Sequence, residues 1–201
     1  EVVLHGTIGD DLLTLDFNNG NPTPRGSDDV TDRPGIVFDA KSAYDKIVLR
    51  GSEQLTHETI EMSGPDAGRI HFEPTLTGPE LARSTYTVGT STAVDYSGVE
   101  PIEDVLIVNG QYAITAPDDI NNEINIINGP FRFGFETFQI TSGQAPTFNE
   151  VNFANKKNVH VHGADETAGP SAFVGDDVFT LFTDDGDAPP LLLGIRMYGG
   201  S

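Results

Sequence analysis

The sequence predicts an all-β fold, and three observations carry that expectation. Helical periodicity is missing: no stretch of a dozen residues repeats apolar positions at three and four, while 22 Gly and 13 Pro punctuate the 201-residue chain. Short period-two segments of β-branched and aromatic residues recur along its length, bounded by Gly, Asn, Asp or Pro. An internal near-repeat supplies the third. Gly9-Asp10-Asp11-Leu12-Leu13-Thr14-Leu15-Asp16-Phe17-Asn18-Asn19-Gly20 aligns without gaps on Gly175-Asp176-Asp177-Val178-Phe179-Thr180-Leu181-Phe182-Thr183-Asp184-Asp185-Gly186, with six identical positions.

Taken in order, Leu13 and Leu15 alternate with Thr14 and Asp16 to give the first strand, and Ile36 with Phe38 and Ile47 with Leu49 give the next two. Further strands are expected at 59–62, 70–72, 105–108, 112–114, 124–127, 131–135, 138–140, 151–153, 159–161 and 178–182. The best helical stretch, 79–83, is long enough for a single turn. Segments 18–35 and 74–100 break the pattern: the first is rich in Asn, Asp, Pro and Gly, the second in Ser and Thr.

In the second half, strands recur at roughly 15–20 residues, a spacing that suits one rung of a stacked coil. Together with the near-repeat this favours a parallel β-helix or β-solenoid-like fold with irregular loops. An antiparallel β-sandwich is the alternative, since regular short strands with turn signals also describe one. The chain divides into 1–97, a first β half with long polar loops, and 98–198, a second with regular rungs. The two read as one continuous module rather than independent domains. Residues 199–201 read as a linker scar.

Charge narrows the function classes. Asp and Glu number 31 against 11 Lys and Arg, a formal net charge of -20, which repels nucleic-acid phosphates and anionic lipid heads and attracts cations. The same acidity also serves simply to keep a surface protein soluble. Cysteine is absent, so disulfides and thiolate metal sites are excluded. No initiator Met, leader pattern or apolar run of membrane-spanning length is present, so the sequence reads as an excised or mature segment of a secreted or cell-surface protein, not inserted in a membrane.

The Gly9 to Leu15 stretch resembles the end of an RTX-type, haemolysin-like calcium-binding nonapeptide. The order Gly6-Thr7 … Gly9-Asp10-Asp11 … Leu13-Thr14-Leu15-Asp16-Phe17, then Tyr96-Ser97-Gly98-Val99-Glu100-Pro101-Ile102-Glu103-Asp104-Val105-Leu106, then Val151-Asn152-Phe153-Ala154-Asn155 is similar to long repeats of giant bacterial cell-surface proteins, of planctomycete and marine-bacterial type. The resemblance implies a non-catalytic, β-helix-like segment of a very large extracellular protein. The glycine pair that opens each RTX repeat is missing before Asp11 and Asp177, so isolated calcium sites are implied rather than an array.

Asp184-Asp185-Gly186-Asp187 is the leading calcium candidate, because carboxylates at i and i+2 around a glycine turn can converge on one hard cation. Asp10, Asp11, Asp176 and Asp177 offer further ligands from turn positions, as do Asp28 and Asp29. The competing role for all of them is to make Asx-turns at strand ends. His160 and His162 share one strand face with Asp165 and Glu166 behind, a set that suits zinc, while Val159 and Val161 claim the inward face and leave the imidazoles in solvent. Phe131-Arg132-Phe133-Gly134-Phe135 is an aromatic strip suited to a stacked core ladder, or to a sugar or neighbouring chain. No nucleophile motif and no phosphate-binding loop occurs. The expected function is therefore a non-enzymatic structural or adhesive spacer, with calcium as its candidate stiffening cation. Its expected partners are neighbouring modules of the same protein or copies of itself. A β-helical carbohydrate-binding or carbohydrate-active domain is the rival; two facing carboxylates with an aromatic platform would mark it.

Overall fold

A computed structural model describes residues 2–23, 35–41, 43–74, 92–117, 121–143, 146–163, 177–181 and 194–198. The described residues are all-β, without a helix. Fifteen strands run β1 (Val2–His5), β2 (Leu12–Asp16), β3 (Ile36–Asp39), β4 (Lys46–Arg50), β5 (Gln54–Met62), β6 (Gly68–Pro74), β7 (Thr92–Ser97), β8 (Ile102–Asp104), β9 (Ile107–Thr115), β10 (Glu123–Asn128), β11 (Phe138–Ser142), β12 (Val151–Phe153), β13 (Lys156–His162), β14 (Val178–Leu181) and β15 (Ile195–Tyr198). No helix among the described residues is long and apolar enough to cross a membrane.

The strands form two mixed sheets. One has eight strands in the order β1-β3-β7-β6-β5-β9-β13-β15, the other seven in the order β14-β10-β11-β12-β8-β4-β2. Nine of the thirteen pairings among these strands are parallel. Four are antiparallel and belong to two meanders, β5-β6-β7 and β10-β11-β12. Parallel neighbours need a crossover, and here the chain crosses to the opposite sheet and returns. Val2 thus lies opposite Ile36 with β2 of the other sheet between them in sequence, and Leu12 lies opposite Lys46 with β3 between. Where a meander intervenes the detour is longer, as from Ile36 to Val94 and from Ile47 to Ile102. The strand recurrence in the second half therefore does not measure the distance between parallel neighbours, because it mixes strands of both sheets and includes the β10-β11-β12 meander.

The period-two patterns place the core. On β5, Leu55, Glu58, Ile60 and Met62 turn inward; on β13, Val159 and Val161 do. These side chains join residues of both sheets in one hydrophobic cluster that runs from Leu15 to Val161. Aromatic pairs cross it: Phe17 on Phe72 at 5.2 Å between ring centroids, and Tyr112 on Phe153 at 5.3 Å. Each fully buried Ile, Leu or Phe in such a cluster contributes about 1.5–3 kcal/mol. Gly51 lets the chain pass close beneath: its φ is +140°, and a Cβ there would meet the Phe17 backbone at 2.6 Å.

The expected strand at 131–135 is corrected. Phe133 and Gly134 both have positive φ, 48° and 89°, as a two-residue hairpin turn of the primed type requires. Arg132 and Phe135 close that turn with reciprocal backbone hydrogen bonds of 2.9 and 2.8 Å. The segment folds back on itself between β10 and β11 instead of joining a sheet.

Candidate functional site

Asp11 and Asp177, the last residues of the two Gly-Asp-Asp segments, directly precede β2 and β14, the two opposite edges of the seven-stranded sheet. Asp10 Oδ1 accepts the Tyr44 amide at 3.3 Å, and Asp11 Oδ2 accepts the Thr7 amide at 2.5 Å. The Asp11 amide in turn donates to Asp45 Oδ1 at 2.6 Å, from the residue before β4. At the far edge Asp177 Oδ1 accepts the Asn122 amide at 2.9 Å, from the residue before β10. One rule covers both edges: the carboxylate just before a strand accepts the backbone N–H just before its parallel neighbour. Unpaired amides at strand ends are costly, so this is the structural role of Asx side chains performed between chain passes. Asp176, Asp184, Asp185 and Asp187 lie outside the described residues, as do Asp28, Asp29, Asp165 and Glu166. Among the described residues, no group of three His, Asp or Glu side chains is placed to hold a metal ion.

His160 and His162 point outward from β13, with Val159 and Val161 buried beneath. Their neighbour is an aromatic ring: Tyr198 of β15 stacks on His162 at 4.6 Å and 8°, and lies 5.6 Å from His160. Partial burial, Arg196 and His162 all lower the pKa of His160. The Phe131, Phe133 and Phe135 side chains do not form a core ladder; all three are exposed, at 67%, 46% and 38%. The hairpin turn directs them out, and Arg132 anchors it by donating to Glu103 Oε1 at 2.9 Å on the seven-stranded sheet.

Two further arrangements stand apart from the residues singled out in the sequence. Inside the core, Lys156 is fully buried. Its Nζ donates to Glu58 Oε2 at 3.0 Å, Asp104 Oδ1 at 2.7 Å and the Leu106 carbonyl at 3.0 Å, and sits 4.5 Å from the Tyr112 ring centroid. Burial, reinforced by Asp104 and opposed by Lys156, raises the Glu58 pKa to about 8. With Glu58 protonated at neutral pH, one cation faces one anion and the cluster is balanced. Burial first, then the Asp104 and Glu58 carboxylates, also push the Tyr112 phenol up. No solvent reaches this group, so it acts as a brace tying β5, β8, β9 and β13 across both sheets. Its one sequence signal is Glu58 among the apolar inward positions Leu55, Ile60 and Met62 of β5.

The second is a cleft of about 210 Å³ at the entry side of the seven-stranded sheet, lined by Tyr44, Pro101, Phe148, Asn149, Glu100 and Glu150 among others. Tyr44 is exposed, whereas Asn149 is buried: its Nδ2 donates to the Val99 carbonyl, and its Oδ1 has no partner among the described residues. Glu150 Oε1 accepts Asn152 Nδ2 at 2.8 Å. An aromatic ring and two carboxylates thus share one concavity. Compared with known proteins, the chain matches no family model, no curated protein and no solved structure.

Proposed function

We propose that the chain is a non-catalytic structural module that stacks end to end with neighbouring modules. The observation that carries this reading is the placement of apolar surface. β1 and β2 edge the two sheets at one end, β15 and β14 at the other. Among the described residues, eight of the twelve exposed large hydrophobic side chains belong to these two terminal passes: Val2, Val3, Ile8 and Leu12 at the first, Val178, Leu181, Met197 and Tyr198 at the second. Open strand edges bearing apolar side chains are templates for pairing with another chain. The alternation between sheets and the prevalence of parallel pairs support a β-solenoid-like coil over a sandwich. The acidic, cysteine-free composition supports a secreted or cell-surface location within a large protein of the RTX-like kind. Calcium enters this reading chiefly through Asp176, Asp184, Asp185 and Asp187.

Sedimentation of the chain at rising concentration and ionic strength tests the stacking. A net charge of -20 opposes contact between copies, so screening by salt is expected to increase end-to-end association. Leu181→Asp is expected to weaken it. A chain that stays monomeric at high concentration and high salt overturns the reading.

A second reading is favoured by the cleft. Tyr44 offers a stacking face, and Glu100 and Glu150 offer acceptors for sugar hydroxyls, the chemistry of a carbohydrate-binding site. Glycan-array binding that Tyr44→Ala abolishes is the expected result; an array without signal sinks it.

A further inference from the structure

The first and last passes of the chain are built alike. Val2 pairs with Ile36 as Val159 pairs with Ile195, in four-residue parallel registers. The Val2 amide donates to the Gly35 carbonyl at 2.8 Å, and the Val159 amide to the Gly194 carbonyl at 3.1 Å. The Gly6 amide donates to the Asp39 carbonyl at 2.7 Å, and the Gly163 amide to the Tyr198 carbonyl at 2.8 Å. A Cβ on Gly6 would strike Asp11 Oδ2, and one on Gly163 would strike Asp177 Oδ2. The sequence follows suit: a valine-led strand ending His5-Gly6 or His162-Gly163, then Gly-Asp-Asp, then Gly35-Ile36 or Gly194-Ile195. The likeness therefore extends well beyond the Gly-Asp-Asp segment.

Burial at equivalent positions is complementary. Val2 is 42% exposed where Val159, with β9 beside it, is fully buried. Conversely Met197 is 46% exposed and Leu181 51%, where Phe38 and Leu15, with following strands beside them, are at 5% and 4%. Among the described residues, each end lacks the neighbour that the other end possesses.

We infer that residues 159–198 open a second copy of the unit that begins at Val2, so that the repeating unit runs from Val2 to Asn158 and tandem copies continue as one uninterrupted pair of sheets. This rests on the stacked-module reading and adds the partner and its register. The partner is another copy of the same unit, and the contact is already present within the chain where β13 lies on β9 and β14 on β10. A following copy places Val2 opposite Tyr112 and His5 opposite Thr115, as Val159 and His162 are. It places Leu12 opposite Glu123 and Leu15 opposite Ile126, as Val178 and Leu181 are. The Asp11 carboxylate takes the Asn122 amide that Asp177 accepts here.

The test joins residues 1–158 directly to residues 2–201, beside a control of two full chains on a flexible Gly/Ser linker. The direct fusion is expected to melt in one transition, roughly 5 °C or more above the single chain. Its internal Val2–His5 amides are expected to exchange as slowly as those of Val159–His162 in the single chain. Two independent transitions at the single-chain midpoint, or failure of the fusion to fold, overturn the inference. If the linked control gains stability while the direct fusion does not, modules stack in another register and only this inference fails; if neither gains, the stacking reading fails as well. A second variant needs no fusion. His160→Val with Val161→Leu gives the last pass the opening strand of the first, and the chain is expected to keep a single transition within about 4 °C of the parent; loss of that transition overturns the equivalence.

Discussion

The first and last passes use the same hydrogen bonds, yet their side chains lead different lives. Phe38 is buried in the core, while Met197 at the matching position of β15 stands in solvent. Leu15 and Leu181 differ in the same sense, and Val2 and Val159 in the opposite one. Local sequence thus sets the bonding of a pass, and the adjacent pass sets what it buries. Stability in such an arrangement is largely a sum of nearest-neighbour terms, so the two ends are where it is weakest.

The covered side of the last pass should be the most sensitive point. Lys156 opens β13 and carries three hydrogen bonds into the core. Lys156→Met leaves Asp104 buried without a cation and is expected to cost about 3–5 kcal/mol in urea unfolding. A loss under about 1 kcal/mol would mean that the carboxylates reach water once the lysine is gone. The paired ends give the next largest contrast. Phe38→Ala removes a buried ring and should cost about 3–5 kcal/mol, whereas Met197→Ala should stay within about 0.5 kcal/mol. Equal losses would erase the distinction between a covered and an open pass.

Protonation of Glu58 offers a finer probe of the interior. Its pKa is about 8 in the folded chain against an ordinary 4.5. Between those values the folded state holds a proton that the unfolded state has released, so stability is full below about 4.5 and falls as pH rises through about 8. Glu58→Gln keeps the shape and removes the titration. Unfolding curves at pH 5, 7 and 9 are expected to show a steeper decline for the parent than for the variant; parallel declines would place the proton elsewhere.

Much of this was legible in the sequence where the signal is local. The inward valines of β13 and the strand character of 59–62 follow from period two, and the Gly-Asp-Asp segments marked the starts of the strands that Leu12 and Val178 open. What failed depends on residues far apart. Glu58 and Asp104 lie 98 and 52 residues before Lys156, so nothing near the lysine announced its burial. Parallel pairing of Val2 with Ile36, or of Ile36 with Val94, leaves no turn signature of the kind that a hairpin has. The Phe strip misled for a different reason. Phe133 occupies a positive-φ turn position that an aromatic residue seldom takes, and alternation alone cannot reveal it.

The smallest effects concern the strand-entry carboxylates, and they bear on calcium. Asp45 is fully buried and accepts the Asp11 amide; Asp177 accepts the Asn122 amide; Asp11 accepts the Thr7 amide in an exposed loop. Freeing a buried amide costs about 1–3 kcal/mol and an exposed one much less. Alanine substitution is therefore expected to destabilise in the order Asp45, Asp177, Asp11, read from urea midpoints. The same variants divide amide acceptors from metal ligands. If calcium raises the melting temperature, the rise should survive Asp11→Ala, since that carboxylate is committed to Thr7, and should vanish with Asp184→Asn and Asp187→Asn together. A rise abolished by Asp11→Ala would return the strand-entry carboxylates to the cation, and the two Gly-Asp-Asp segments would then be calcium sites at the open ends.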